Sequence, residues 1–267
     1  MSELVLGAVA YDAKVVPIWD GFKAYFESHG LPFDFVLYSN YERQVAAHLR
    51  GEIDVAWNSP LAWIQTRRAA PDRARAIAMR DTDRDLTSVV LVRATLGPGG
   101  SGPGSGAPVQ TVADLRAVGV GARDSPQATL IPLLALADAG ARVEVVPHDV
   151  LVGKHGDHVG GERDAVKALL AGKVDAACVI DGNRLAFARE GLFAPNQLRV
   201  LVQTAPYDHC NVTALADTPA IAKLRELLLA MSYDDPVVRP LLDMEGLTRW
   251  LPGRTSGYAL LEHAVDA

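Results

Sequence analysis

VGVGARDSPQATLIPLLALADAG, residues Val118 to Gly140, places a strand, a turn and a capped helix in immediate succession. Val118 to Ala122 is a run of small and β-branched residues, the pattern of a buried strand. Arg123-Asp124 gives a turn signal, and Ser125 stands directly before Pro126. Proline is favoured at the first helical position because its missing N–H would have no partner there. Ser125 is therefore the predicted N-cap, its hydroxyl accepting from a backbone N–H one turn on. Leu130, Ile131, Leu133, Leu134, Leu136 and Ala137 continue an apolar helix, and Gly140 is its predicted C-cap. A strand feeding a helix N-terminus gathers N–H groups and the positive end of a dipole, a place suited to an anion or a carbonyl.

The same device recurs upstream. Ile53 to Trp57 reads as a strand, Asn58-Ser59-Pro60 as a cap followed by proline, and Leu61 to Arg68 as a helix. Before it come a strand at Leu4 to Val9, a helix from Pro17, a strand at Phe33 to Tyr38 and a helix from Tyr41 to Arg50 closed by Gly51. Trp19, Phe22, Tyr25 and Phe26 fall at helical spacing and read as core packing. Ile77 to Met79 and Ser88 to Val92 are strands on either side of a charged loop, Arg80 to Asp85. GPGGSGPGSGAP, residues 97 to 108, has the composition of a flexible surface loop. A short helix is predicted at Thr111 to Ala117, ahead of the opening stretch. Beyond it follow a strand at Val143 to Val146, a His- and Gly-rich loop at 147 to 161, and a helix at Arg163 to Ala171. A strand at Val174 to Ile180, a turn at Asp181 into another helix, and a strand at Leu198 to Gln203 come next. From Thr218 the chain reads as helical, interrupted at Pro236 and Pro252. This alternation of strands and helices predicts a layered α/β architecture.

HLRGEIDVAW (48 to 57) and LLAGKVDAAC (169 to 178) share a helix end, a glycine, a branched residue, an aspartate and a small-residue strand. Gly51 and Gly172, like Asp54 and Asp175, lie 121 residues apart. That period is too long for a solenoid and fits two similar α/β lobes. The glycine reads as a C-cap and the aspartate as a residue at the start of a strand, so the match speaks for fold rather than chemistry.

Composition narrows the function. The 267 residues are 49% hydrophobic and carry 26 basic against 32 acidic side chains, a net charge of −6, which does not suggest a nucleic-acid surface. No run of about 18 apolar residues reads as a membrane span. MSELVLGAVAYD lacks the basic, apolar and small-residue regions of a secretory signal, so the expected compartment is the cytoplasm, or the periplasm or exterior if a leader has been removed. Two cysteines, Cys178 and Cys210, make no disulfide framework and read as buried thiols.

His148, His155, Asp157 and His158 lie close together in sequence, with His209 and Cys210 later, and all are of types that bind transition metals. Their spacing matches no established ligand pattern, so the loop reads as solvated and no metal or cofactor is expected. There is no nucleophile elbow, catalytic-cysteine signature, Walker loop or dinucleotide fingerprint. Tyr11, Tyr41 and Trp57 stand at strand ends or turns, where they either face a cleft or pack in the core.

LGAVAYD, SNYERQVAAHLRGEIDVAWNSPLAW, TSVVLVR, VADLRAVGVGARDSPQATLIP and GGERDAVKALLAGKVDAACVIDG, in this order and spacing, resemble the phosphate/phosphite/phosphonate-type solute-binding proteins of ABC importers. The resemblance covers nearly the whole chain. It implies an α/β, two-lobed type II periplasmic-binding-protein-like fold with the ligand in a cleft between the lobes. Lobe one would be residues 1–92 plus 205–267 and lobe two residues 93–204, with Ser88 to Arg93 and Leu201 to Ala205 as hinge strands. Carried over by position, the ligand-binding residues are Tyr41, Asn58, Ser59, Ser88, the turn Ser125, Gln127, Ala128 and Thr129, then Arg163 and Asp181; Tyr11 joins them as a loop aromatic. Where phosphonate binders resemble Ser-Thr-Ser at the second helix start, this chain has Ser125-Pro126-Gln127. The family's crossover tyrosine appears as Leu86 and its histidine as Arg163. Two hydroxyls and one backbone donor are thus absent, and a carboxylate or other polar anion suits Arg163 and Gln127 better than a phosphonate.

The function expected is binding of a small anionic or polar solute, with an ABC permease as partner. The alternative is a cytosolic enzyme on the same fold, similar to chorismate dehydratase or the thiamine-pyrimidine synthases, with His158, Arg163, Asp181, His209 or Cys210 in acid–base roles. A metal carrier using the His loop is the third reading.

Overall fold

The computed structural model describes residues 3–10, 13–94, 109–149, 158–194 and 196–267. In chain order its elements are β1 (Leu4–Val9), α1 (Val15–Ser28), β2 (Phe33–Tyr38), α2 (Tyr41–Arg50), β3 (Val55–Asn58), α3 (Pro60–Ala69), β4 (Arg75–Arg80) and β5 (Ser88–Arg93). Then come β6 (Ala117–Val120), α4 (Ile131–Asp138), β7 (Glu144–Pro147), α5 (His158–Leu170), β8 (Ala176–Ile180), α6 (Asp181–Arg189) and β9 (Leu198–Gln203). Last are β10 (Asn211–Ala214), α7 (Pro219–Ala230), α8 (Arg239–Glu245), β11 (Trp250–Pro252) and α9 (Ala259–Asp266). The predicted loop at 97–108 lies outside the described residues, as does Tyr11.

The chain divides into two compact units. Unit 1 comprises 1–85 and 208–259, and unit 2 comprises 86–207 and 260–267. The chain passes between them at Asp85–Leu86, Tyr207–Asp208 and Ala259–Leu260. Ser88–Arg93 and the strand around Leu201 are not free-standing connectors. They are β5 and β9, paired antiparallel in the sheet of unit 2: β5 is a buried run with ladder bonds to satisfy on both sides, and β9 pairs with it as the edge strand.

Unit 1 holds a six-stranded sheet in the order β11-β4-β10-β3-β1-β2. β1 pairs parallel with β2 and β3, while β10 runs antiparallel between β3 and β4. Trp19, Phe22 and Phe26 of α1, at 3%, 0% and 0% exposure, pack with Leu4, Leu6, Phe33, Leu224 and Leu242 into one core, so the aromatic stripe is packing. Trp57 belongs to the same core, edge-on to Trp250 at 5.6 Å. β10 and β11 were not foreseen. NVTA is only four residues long, too short for its polar–apolar alternation to mark a strand, and all four residues are buried.

Unit 2 repeats the plan with a five-stranded sheet, β7-β6-β8-β5-β9, in which β6 pairs parallel with β7 and β8 and β5 runs antiparallel to β8. Successive β5 residues face opposite sides: Val89 and Leu91 pack with Ala165, Val166 and Leu169 of α5, whereas Val90 and Val92 pack with Val118, Val120 and Leu136. Alternation of side-chain direction with burial on both faces gives the unbroken apolar run SVVLV. The expected helix at 111–117 is shorter, a single 3-10 turn at Val112–Asp114 stitched by a capping box between Thr111 and Asp114. α5 begins five residues before the predicted start.

The sequence repeat has a physical meaning. Gly51 and Gly172 take the left-handed conformation, φ 73° and 69°, that ends the preceding helix. Three residues later the aspartate reaches across to the neighbouring parallel strand. Asp54 Oδ2 accepts from Val5 N at 2.8 Å and its own N–H donates to Val5 O at 2.9 Å. Asp175 Oδ2 accepts from Arg116 N and Ala117 N, both at 2.9 Å, and its N–H donates to Ala117 O at 2.8 Å.

His48, on α2 in unit 1, is 2% exposed and its Nε2 lies 3.3 Å from the Asp54 carbonyl oxygen. Burial pushes its imidazole down to about 4. The unfolded chain takes up that proton near pH ~6.5, so the folded state keeps its full stability above that pH and loses it as pH falls from ~6.5 towards ~4. Urea unfolding at pH 7 and pH 5 should differ by about 2 kcal/mol from this group, a difference that His48→Leu abolishes. An equal pH dependence in the variant would assign the effect elsewhere.

Candidate functional site

The turn between β6 and α4 is bound together more tightly than an ordinary helix start. Ser125 Oγ accepts from Ala128 N at 3.2 Å, which makes Ser125 the expected N-cap. The Ser125 carbonyl accepts from both Thr129 N (3.1 Å) and Leu130 N (3.0 Å), so Pro126–Leu130 is a π turn that leads into α4. Proline explains this departure from a plain α-helix. Pro132 has no N–H to give to the Ala128 carbonyl, which instead accepts from Gly121 N at 3.2 Å. Thr129 Oγ1 donates to the Ala122 carbonyl at 2.7 Å and closes the turn onto the end of β6.

Ser88, at the start of β5, fixes the same turn from the sheet. Its Oγ donates to the Gln127 carbonyl at 2.6 Å, so the Tyr207 hydroxyl, 2.7 Å away, is the donor to Ser88. Burial pushes the Tyr207 phenol up and keeps it protonated. Tyr207 pairs directly opposite Leu86, through Leu86 N to Tyr207 O and the reverse, both 2.8 Å. The crossover region thus does carry a tyrosine, on the strand facing the one where the resemblance placed it. Gln127 is 6% exposed, and its Oε1 has no hydrogen-bond partner. Among the side chains of the turn it alone presents a buried polar atom without a hydrogen-bond partner.

Glu162 lies behind the turn and was missed from sequence. It is fully buried, and its Oε2 accepts from Ile180 N at 2.9 Å and from Asn183 Nδ2 at 3.0 Å, joining α5 to the end of β8. A methyl group on Gly121 would come 3.8 Å from Ser125 Cβ and 3.9 Å from Glu162 Cγ, so both side chains flank Gly121. Gly161 lets α5 approach: a Cβ there would lie 2.5 Å from the His148 carbonyl oxygen. Helix phase carried the signal, since 162, 165, 166 and 169 form one stripe and the last three are fully buried.

The remaining candidates stand in other surroundings. Arg163 pairs with Glu190 at 2.5 Å and lies over the Phe187 ring at 4.5 Å. Asp181 pairs with Arg184 at 2.6 Å. Ala128 and Thr129 are buried in the turn. Of the His-loop residues, His148 Nδ1 lies 3.2 Å from the Val120 carbonyl oxygen, while His155, Asp157 and the side chain of His158 fall outside the described residues.

In unit 1 the ends of β3 and β10 share a buried chain of hydrogen bonds with a single direction. Gln44 Nε2 donates to Asn58 Oδ1 (2.9 Å), Asn58 Nδ2 to Thr213 Oγ1 (2.8 Å), and Thr213 Oγ1 to Asn211 Oδ1 (2.6 Å). Asn211 Nδ2 then donates to the Tyr258 hydroxyl and that hydroxyl to the His209 carbonyl, each at 2.8 Å. Asn58 is 0% exposed, and both ends of its amide are engaged by these bonds. Ser59 caps α3 through Ala62 N at 3.3 Å, and Tyr41 is half-buried at the first position of α2, which Asn40 caps.

Two α/β units, each with parallel strands whose carboxyl ends feed capped helices, define a type II periplasmic-binding-protein-like fold. The family model for the phosphonate-type periplasmic substrate-binding proteins of ABC transporters matches residues 8–258, and the chain belongs to that family. PhnD1 from Prochlorococcus marinus, in complex with methylphosphonate, is similar in fold (TM-score 0.69, 17% identity, 98% of this chain and 97% of that one). So is a protein of Xanthomonas citri bound to ATP (TM-score 0.70, 15% identity, 100% and 99%). The aliphatic sulphonate-binding protein SsuA of Escherichia coli is a further match (TM-score 0.56, 18% identity, 100% and 86%). No curated protein matches the sequence. The family is described as periplasmic, which gives no support to the cytoplasmic expectation. Among the described residues no helix is long and apolar enough to cross a membrane.

The buried chain in unit 1 predicts unequal costs for two adjacent residues. Asn58→Ala strands the Gln44 donor and the Thr213 acceptor and should cost about 3 kcal/mol. Ser59→Ala loses only a cap and should cost about 1 kcal/mol. Denaturant unfolding of the two variants measures the difference, and equal costs would mean that the chain of bonds contributes little.

Proposed function

We propose that this protein is the solute-binding component of an ABC importer and takes a small oxyanion, a carboxylate or phosphonate monoanion, at the Ser125–Thr129 turn. The observations that carry this reading are the start of a dipole-bearing helix at the turn and, beside it, Gln127 Oε1, a buried acceptor without a hydrogen-bond partner that calls for a donor on the solute, such as a protonated phosphonate oxygen, a hydroxyl or an ammonium group. The turn is already rigid, because Ser88, Gly121 and Thr129 hold it, so binding would order little and lose little entropy.

Chemistry favours a singly charged group. Pro126 provides no N–H, and Ala128 N, Thr129 N and Leu130 N are committed within the turn. A dianion would find few donors there, and it would face the Glu162 carboxylate beyond Gly121. The unpartnered Gln127 Oε1 suits a solute that carries a hydroxyl or ammonium group beside its anionic end. An ABC permease is proposed as the partner, which rests on family membership.

Calorimetric titration at matched salt with methylphosphonate, aminoalkylphosphonates, short carboxylates and amino acids identifies the class. For the best ligand, Gln127→Ala should weaken binding at least about tenfold and leave stability nearly unchanged, since its amide oxygen bonds nothing in the free protein. Ser125→Ala should cost about 1 kcal/mol of stability as well as affinity. Full affinity in Gln127→Ala would remove the turn as the site, and no binding across the panel would remove the solute class.

A further inference from the structure

We infer that Asp83, His209 and Cys210 of unit 1 form a binding site for a zinc-class divalent metal ion, separate from the solute turn. The 3-10 turn after β4 supplies Asp83, and the residues just before β10 supply the other two. His209 Nδ1 lies 3.2 Å from Cys210 Sγ and 3.5 Å from Asp83 Oδ1, and all three donor atoms fall within 4.8 Å of one another. A tetrahedral ion with ligands at roughly 2.0–2.3 Å holds neighbouring donors about 3.3–3.7 Å apart, so the two measured separations are close to what a coordination shell requires. Nitrogen, thiolate and carboxylate together make a zinc-class set rather than a magnesium or calcium set.

His209 Nδ1 stands within reach of both Cys210 Sγ and Asp83 Oδ1, and one ring nitrogen can share a single proton with only one of them. An ion at their centre engages all three at once. The frame around the donors is already fixed: His209 N donates to the Asp83 carbonyl at 2.8 Å, and the Tyr258 hydroxyl donates to the His209 carbonyl at 2.8 Å. Arg80 grips both Asp83 oxygens, Nε to Oδ2 at 2.5 Å and an outer nitrogen to Oδ1 at 3.0 Å. This is the orienting role that outer-shell partners play at metal sites, and each carboxylate oxygen keeps a second lone pair for the ion. Arg80 shares its own charge with Glu245 at 3.2 Å, so the thiolate and the Asp83 carboxylate remain to balance a dication. Asp83 and Cys210 are buried, at 1% and 8% exposure, while the His209 side chain is 22% exposed and gives the ion a way in. Three protein ligands leave the fourth corner for water or a small ligand.

The full chain, stripped with chelator, is titrated with Co2+ as a coloured substitute for zinc and followed by absorption. One equivalent should bind, with d–d bands and a thiolate-to-cobalt charge-transfer band that Zn2+ displaces. Cys210→Ser should lose the charge-transfer band, His209→Gln should weaken Zn2+ binding more than about tenfold, and Cys178→Ser should behave as wild type. No saturable band in the wild-type chain, or an undiminished charge-transfer band in Cys210→Ser, overturns the assignment. Should Cys210→Ser fail to fold by circular dichroism, the wild-type band and the His209→Gln affinity decide on the same terms. Solute titration is independent of this result, so failure here leaves the turn at Ser125 untouched.

Discussion

Both sheets depend on one interaction, a carboxylate that holds the start of a parallel strand pair. Asp54 and Asp175 each occupy the loop between a helix and the next strand, and each accepts main-chain N–H groups from the strand alongside. Parallel strands have no hairpin to set their register, so an anchor at one end fixes the whole ladder. The consequence appears at the far end. In unit 1 the register of β3 against β1 carries Asn58 to the point where Gln44 and Thr213 await it. In unit 2 the register of β8 against β6 sets the Ile180 N–H where Glu162 bonds it. A carboxylate at the amino ends of the strands thereby positions polar chemistry at their carboxyl ends, where open α/β sheets bind ligands.

The polar groups at those carboxyl ends differ in kind. In unit 1 they form a one-directional series of neutral hydrogen bonds that uses both ends of the Asn58 amide and leaves Gln44 Oε1 without a partner. In unit 2 Ser88, Tyr207 and Thr129 are likewise committed, but to one turn, and Gln127 is left over. A turn whose other side chains are committed to one another is rigid, and a leftover buried acceptor on it marks where a donor would be held.

Sequence revealed what is local. Gly51, Gly172 and the caps at Ser59 and Ser125 were legible because a left-handed residue or a cap answers to its neighbours alone. The aspartates were legible as a repeat, though their bonds to the adjacent strand were not. Three features escaped for three physical reasons. NVTA was passed over because four residues are too short a run to mark a strand, and Asn211 and Thr213 are polar although buried. Arg163 drew attention for its charge, while the helix turns its neighbour Glu162 inward and leaves Arg163 against Phe187 and Glu190. Asp83 stands far from His209 and Cys210 in the chain, and only the antiparallel pairing of β4 with β10 brings them together. The histidine-rich loop, by contrast, concentrated the right residue types in sequence, yet the metal-ligand cluster among the described residues lies elsewhere.

β10 has a further consequence for how the protein is made. Among the described residues it is the strand that joins β3 to β4, yet it begins about 150 residues after β3 ends. At a ribosomal rate of roughly 5–20 residues per second, the facing edges of β3 and β4 wait on the order of ten to thirty seconds before the strand that separates them exists. Until then each is an open edge with unpaired backbone groups, able to pair with a neighbouring nascent chain. The first half of the molecule is thus made long before it can be finished, and its safe passage through that interval depends on whatever covers those edges in the cell.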